Sequence, residues 1–167
     1  LDLKEIVVAL IFTALVRTLI GLVPAILLTS PLFGVSILKL GLPLLLLFLS
    51  LYIFGITLGL FVSAGLIRFG PSFENIAWSS LFLLAPLGCI YYPIEILPDF
   101  FQIIAKSLPL VYIFDEAINI LLNGFVNYEN LRQAYYLNLA YLAFGIFLFY
   151  SSFLKARIKG TLINMGE

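Results

Sequence analysis

The chain has 167 residues, of which 63% are hydrophobic and 11% are charged, whereas about 25% of the residues of a soluble domain are charged. No water-soluble core of this size buries so much apolar surface, so the composition excludes an ordinary soluble protein and predicts membrane-spanning helices. The formal net charge is +0, which excludes the concentrated basic face that binding to nucleic acid requires.

The first two apolar segments are each long enough to cross a bilayer, for which about 20 residues suffice. The first, Ile6 to Leu28, is interrupted near its middle by Arg17. A loop of turn residues is predicted from Thr29 to Gly34, and the second segment, Leu40 to Ile67, contains no charge. A straight helix of that length exceeds the roughly 30 Å hydrocarbon core, so we expect it to tilt or kink. Its candidate kink or close-packing points are Pro43, Gly55, Gly59 and Gly65.

A third span is predicted from Ile76 to Tyr92, after the short polar link Arg68 to Asn75. Trp78 lies near one end of this segment and two tyrosines lie at the other. Aromatic residues at both ends are typical of the two membrane interfaces.

Two short helices are predicted after the third span. Pro98 suits the first turn of a helix, and Pro109 ends that helix after about ten residues, which is roughly 15 Å and too short to cross. The second helix covers Leu110 to Asn123 and ends at the capping residue Gly124. One of its faces carries the polar residues Asp115, Asn119 and Asn123. Together the two helices predict a re-entrant or interfacial hairpin.

The last predicted span runs from Ala134 to Leu154. Cations directly after a span favour the cytoplasmic side, and this span is followed by Lys155, Arg157 and Lys159. Counting back over four spans, the basic residues expected inside are Lys4 and Arg68, and those expected outside are Lys39, Lys106 and Arg132. The sequence therefore predicts one all-α integral membrane domain over residues 1–167. We expect a helical bundle of about four transmembrane helices with a short hairpin before the last span, in the cell membrane, with a cytoplasmic C-terminus.

Groups that carry chemistry are scarce in this sequence. There is no histidine and one cysteine, Cys89, which lies in an apolar segment and is expected to serve packing. Asp115 and Glu116 are adjacent, which separates them by about 100° on a helix, so we expect them to be wetted at an interface. No Gly-rich phosphate loop is present. We therefore predict no catalytic residue, no metal site and no cofactor.

Arg17 is the one charge at apparent mid-membrane depth, where insertion costs about 2.5 to 3.5 kcal/mol. Residues of this kind usually face a bundle interior or water. One interpretation is a cation that lines a cavity and contacts an anionic substrate or a carboxylate. The other is a structurally paired arginine, or one that extends its side chain to the membrane surface.

The stretch from Tyr91 to Pro98 has two interpretations. It is either the end of a span with an aromatic belt and helix-breaking prolines, or an outer gate that folds back into the membrane against protein or water. The residues alone favour neither interpretation. The candidate residues of a translocation path or gate are Arg17, Tyr91, Tyr92, Pro93, Glu95, Pro98 and Pro109.

In their order and spacing, several segments resemble the permeases of type-2 ABC exporters. The resemblance covers nearly the whole chain and is strongest from Arg68 onward. The segments that carry it are Arg68-Phe69-Gly70, Tyr91-Tyr92-Pro93-Ile94-Glu95-Ile96-Leu97-Pro98, Leu108-Pro109-Leu110-Val111-Tyr112, Leu121-Leu122-Asn123-Gly124, and the tail Ala156 to Leu162 with Gly166-Glu167. They are similar to that family's fifth span with its flanks, the stretch before the sixth span, and its usual tail.

The resemblance implies a six-span half-transporter with both termini in the cytoplasm. The first two spans and the coupling helix are then expected upstream of Leu1. The implied partners are an ABC ATPase subunit, a second permease in a homodimer or heterodimer, membrane lipid and an unknown exported substrate. Asn119 departs from the family, since many relatives carry arginine there, so no substrate role is carried over to that position.

Two other classes of function remain open on the sequence alone. One is an integral-membrane enzyme that modifies lipid, which would need polar side chains from several spans at one depth. The other is a noncatalytic membrane scaffold. An ATPase gene beside this one would favour the transporter, and its absence would favour the scaffold.

Overall fold

The computed structural model describes residues 3–34 and 41–159, and over these ranges every regular element is helical. The predicted all-α class is confirmed. Lys39 and the tail from residue 160 onward lie outside the described residues. The helices are α1 (Leu3–Phe33), α2 (Leu42–Phe69), α3 (Phe73–Leu87), α4 (Asp99–Lys106), α5 (Pro109–Asn123) and α6 (Tyr128–Lys159), with a short 3-10 helix at Ile94–Ile96 between α3 and α4.

Three of these helices are long and apolar enough to cross a membrane, at Ile11–Thr29, Leu42–Phe69 and Tyr128–Ile158. They confirm the prediction of an integral membrane protein. The loop predicted from Thr29 is wrong, because α1 continues to Phe33 with Pro31 inside it. The Thr29 hydroxyl donates to the Ile26 carbonyl at 2.7 Å, so this side chain is satisfied within the helix and does not break it.

The chain divides into two compact units, Leu1–Leu46 and Leu47–Glu167. The first unit holds α1 and the first turn of α2. The second unit holds the rest of α2 and the helices α3 to α6, and it contains the hairpin.

Within the second unit, α2 and α6 run in the same direction. Asn138 of α6 donates from Nδ2 to the Ser50 hydroxyl of α2 at 2.8 Å and to its carbonyl at 2.9 Å. Further along both helices, a Cβ on Gly145 would lie 3.5 Å from Leu60 Cβ and 3.6 Å from Thr57 Cγ2. Because the contacting positions advance together, the helices are parallel. The chain between them must therefore return across the membrane.

Helix α3 provides most of this return. Its Phe73 packs against Gly65 near the end of α2, while Leu87 at its other end lines a cavity together with Phe54 of α2. Helix α3 is thus antiparallel to α2. It has 15 residues, or about 22 Å at the usual rise, so it is shorter than the predicted third span. It ends beside Cys89, which takes a left-handed conformation with φ of 53°, and the only regular element from there to α4 is the short 3-10 helix.

Candidate functional site

The predicted hairpin between the third and last spans is confirmed as helices α4 and α5. The Pro98 carbonyl accepts hydrogen bonds from the amides of Phe101 and Gln102 at 2.8 and 3.1 Å, so Pro98 lies just before α4. Pro109 is the first residue of α5 and is buried. It therefore begins the second helix, because a proline fits the first position of a helix, where no amide donor is needed. It does not end the first helix, which stops at Lys106.

The turn of the hairpin lies inside the bundle. Leu108, between α4 and α5, lines one cavity together with Phe54 of α2 and Tyr141 of α6. A Cβ on Gly88 would lie 2.9 Å from Leu110 Cδ1, so the start of α5 packs directly against the end of α3. Phe54 is in the central part of α2, one of the three helices long and apolar enough to span a membrane, so the chain reverses beside that part of α2. In a membrane, backbone that turns there would be tolerated only where protein or water encloses it.

Side chains of the hairpin satisfy one backbone carbonyl at the end of α4 and one just before α4. The Tyr112 hydroxyl donates to the Lys106 carbonyl at 3.0 Å, and Gln102 Nε2 donates to the Leu97 carbonyl at 2.8 Å. Gly124 ends α5 in a left-handed conformation, with φ of 74°, as predicted.

The structure separates the predicted gate residues that precede the hairpin. Tyr92 donates from its hydroxyl to the Pro86 carbonyl at 2.7 Å, and its ring packs on a small core made by Cys89, Ala105 and Val111. Tyr91 is 82% exposed, and Pro93 and Glu95 are also exposed. Tyr92 therefore packs against the hairpin, Pro109 is buried within it, and Pro98 is exposed just before its first helix. Tyr91, Pro93 and Glu95 lie on its surface.

Arg17 lies in α1 and is exposed within the isolated chain. It belongs to the first unit and the hairpin belongs to the second. The prediction that its guanidinium faces a bundle or dimer interior therefore stays a prediction.

Glu116 differs from its expected place. It is 0% exposed, whereas the sequence suggested that it is wetted. Its Oε1 accepts from the Asn127 amide at 2.7 Å, and its Oε2 accepts from Asn130 Nδ2 at 3.4 Å. The chain after Gly124 folds back over this carboxylate, which sequence spacing does not reveal. The neighbouring Asp115 is exposed, as expected, and its Oδ2 also accepts from Asn130 Nδ2, at 2.8 Å.

Sequence reasoning missed a buried polar contact between α2 and α6. Asn138 and Ser50 are each 0% exposed, and the bonds between them join two spanning helices. Asn138 Oδ1 has no hydrogen-bond partner in the part of the chain that the structure describes. The position of Asn138 within a long apolar segment could have indicated such a contact, because polar side chains in spans often form hydrogen bonds across helices.

We expect the Ser50–Asn138 pair to couple weakly in a double-mutant cycle. With Ser50→Ala, Asn138→Ala and the double variant, the coupling free energy of unfolding should be about 0.6 kcal/mol and at most about 1.7 kcal/mol, the range measured between membrane helices. The value is small because Asn138 Nδ2 keeps its second bond, to the Ser50 carbonyl. A coupling near zero, measured by unfolding in mixed micelles, would show that the hydroxyl bond does not stabilise the helix pair.

The described residues include no group of three His, Cys, Asp or Glu side chains arranged to hold a metal ion. Two buried polar side chains of the second unit form contacts between elements, Glu116 at the turn after α5 and Asn138 between α2 and α6. Comparisons with protein-family models, curated proteins and solved structures found no significant match.

Proposed function

We propose that this chain is part of the permease of an ATP-driven exporter, in which it forms the translocation path for the exported substrate. The observation that carries the proposal is the α4–α5 hairpin, whose turn lies among spanning helices. A chain reversal at this depth favours a lining of a path or cavity, because exposure of such backbone to lipid is unfavourable. The resemblance to type-2 ABC exporters supports the same function.

The proposed membrane is the cell membrane, with the C-terminus in the cytoplasm. Lys155 and Arg157 follow the apolar part of α6, and cations at that position favour the cytoplasmic side. Because α2 and α6 are parallel, the end of α2, with Arg68 in its last turn, lies on the same side in this proposal. The α4–α5 hairpin lies toward the other side and would contribute to an outer gate.

ATP binding and hydrolysis are assigned to a partner subunit or fused domain, because the sequence contains no phosphate loop. A second permease completes the path in this proposal. Helix α4 presents two large apolar side chains that are available for contact with that subunit or with lipid, Phe100 at 69% and Ile103 at 72% exposed. Both hydrocarbon and a protein partner suit such a surface.

The proposal is tested by purifying the protein with its ATPase and reconstituting both in liposomes. We expect ATP hydrolysis that requires both components, and substrate movement that stops when the phosphate-loop lysine of the ATPase is replaced. The permease chain alone should not hydrolyse ATP. Hydrolysis by the purified chain, retained after contaminating ATPases are excluded, would contradict the assignment, as would an ATPase that never binds the protein.

Arg17→Leu should lower ATP-dependent transport several-fold while the amount of protein in the membrane stays the same. The reason is that a guanidinium at mid-membrane depth is retained where it faces water or a partner charge. Arg132→Leu is the matched control, because Arg132 is exposed and is paired with Glu129 at 2.7 Å within the same helix. Equal transport by the Arg17→Leu variant would leave Arg17 with a structural role only.

A further inference from the structure

A cavity of about 390 Å³ lies between α2, α3, α6 and the turn of the hairpin. This volume falls within the range of about 300 to 1,000 Å³ that is usual for ligand pockets. All of its lining residues belong to the second unit. Residues that represent each wall are Phe54 and Phe61 of α2, Ala77 and Leu84 of α3, Tyr141 of α6, and Leu108.

The lining suits a hydrocarbon chain and offers little to a polar ligand. Its side chains are aliphatic or aromatic, apart from the hydroxyls of Ser80 and Tyr141. The Ser80 hydroxyl already donates to the Ile76 carbonyl at 2.8 Å, within its own helix. A polar molecule would lose its hydrogen bonds to water here without replacing them, which is unfavourable.

Arg68 is connected to the wall of this cavity through two aromatic rings. The guanidinium carbon of Arg68 is 5.5 Å from the centroid of the Phe69 ring. The Phe69 ring stacks on Phe73 at a centroid distance of 5.7 Å, and Phe73 lines the cavity. Among the described residues, the ion pair is between Arg132 and Glu129. Arg68 therefore has no carboxylate partner in that part of the chain. Arg68 is also exposed.

The cavity wall is long enough to reach through one leaflet of a membrane. The lining residues of α3 run from Phe73 to Leu87, over which a helix rises about 21 Å. Half of a hydrocarbon core of about 30 Å is about 15 Å. An acyl chain of a lipid that enters beside Phe73 therefore reaches the bilayer midplane within the cavity. Its headgroup then lies at the level of Arg68.

We propose that this cavity binds one acyl chain of an anionic phospholipid, with the phosphate held by Arg68. The guanidinium presents paired N–H donors that match phosphate oxygens, and its stacking on Phe69 limits its freedom. The hydrocarbon fills a space between helices that would otherwise lack contacts. The site is a property of the bundle and does not depend on the transport proposal, since it needs neither ATP nor a partner subunit.

Photo-crosslinking in nanodiscs tests the site without the ATPase. The probes are phosphatidylglycerol and phosphatidylcholine, each with a diazirine at the middle of one acyl chain, and the cross-linked residues are identified by mass spectrometry. We expect phosphatidylglycerol to label the cavity residues Ala77 and Leu84 several-fold more than the lipid-accessible residue Ile146, which is 53% exposed in α6. Labelling spread evenly over the apolar surface would overturn the site.

Two adjacent serines provide a matched pair of variants. Ser79 and Ser80 are both exposed residues of α3, and each donates its hydroxyl to the carbonyl four residues earlier. Ser80 lines the cavity, so Ser80→Phe should lower cavity labelling at least five-fold. Ser79→Phe adds the same bulk elsewhere and should leave it unchanged. Equal labelling of the two variants would show that the acyl chain of the lipid does not occupy the cavity.

The headgroup contact has a separate readout. Arg68→Gln should bring the ratio of phosphatidylglycerol to phosphatidylcholine labelling close to one, and Arg68→Lys should keep a clear part of the preference for phosphatidylglycerol. A preference for the anionic lipid that survives Arg68→Gln would overturn the assignment of the phosphate to this residue. Loss of labelling by both lipids in Arg68→Gln would contradict it as well, since the acyl-chain site should remain.

Discussion

Glu116→Ala should lower the free energy of unfolding by about 2 kcal/mol, because the buried side chain accepts two hydrogen bonds and each typical hydrogen bond contributes about 0.5 to 1.5 kcal/mol. The carboxylate of Glu116 is fully buried and accepts the Asn127 amide at 2.7 Å. Alanine leaves that amide unpaired at the turn between α5 and α6 and opens a cavity where the side chain was. Helix α5 packs mainly against α6, so the loss should loosen the hairpin as well.

Glu116→Gln is the matched variant, since its amide oxygen can still accept the Asn127 N–H. We expect it to cost less than half as much as alanine. Asp115→Ala serves as a control at the neighbouring exposed position, where substitutions usually change stability by at most about 0.5 kcal/mol. Reversible unfolding in mixed micelles measures all three. Equal losses for Glu116→Ala and Asp115→Ala would show that burial and the Asn127 bond contribute nothing.

Gly88→Ala should destabilise the protein by about 1 to 3 kcal/mol, the usual cost of overpacking. A Cβ at this position would lie 2.8 Å from the Leu84 carbonyl oxygen and 3.1 Å from Leu110 Cβ. Neither atom is at the end of a flexible side chain, so the backbone at Gly88 must shift away from the last turn of α3 and from the start of α5. This contact positions the turn of the hairpin, and transport should fall together with stability.

The control for this prediction is Gly59→Ala in α2. No atom lies within 4 Å of a Cβ built there, and alanine is favoured over glycine inside a helix by about 1 kcal/mol. We therefore expect opposite signs for the two substitutions, with Gly59→Ala neutral or stabilising in the same unfolding assay. A harmless Gly88→Ala variant would contradict the close packing of α3 on α5.

The sequence predicts the helical class and the hairpin well, because both depend on local signals. Long apolar runs define α2 and α6, and Pro98, Pro109 and Gly124 bracket the two short helices near the observed ends. These residues act through their own backbone: a proline lacks an amide donor, and a glycine adopts positive φ freely. Gly65 was predicted as a close-packing point of α2, and its contact with Phe73 confirms it.

Features that depend on tertiary contacts could not be predicted in the same way. The burial of Glu116 requires the chain after α5 to fold back over it, and the Ser50–Asn138 bonds require the parallel pairing of α2 and α6. The end of α3 at Leu87 coincides with the left-handed conformation of Cys89, a residue without a strong preference for it. A prediction from hydropathy alone continues the third span through the apolar residues after Leu87, as far as Tyr92.

Cysteine labelling in right-side-out membrane vesicles tests the central claim most directly, using the protein with Cys89→Ser and its ATPase. Asp99 and Glu74 are both exposed acidic residues in the first turn of a helix, so Asp99→Cys and Glu74→Cys form a matched pair. We predict that an impermeant thiol reagent labels Asp99→Cys from outside and Glu74→Cys only after the vesicles are opened. Trapping ADP with vanadate on the ATPase after ATP hydrolysis should change the labelling rate of Asp99→Cys several-fold. Labelling of Asp99→Cys only from the cytoplasmic side would contradict the topology, and a rate that ignores trapped nucleotide would contradict ATP-driven gating by the hairpin.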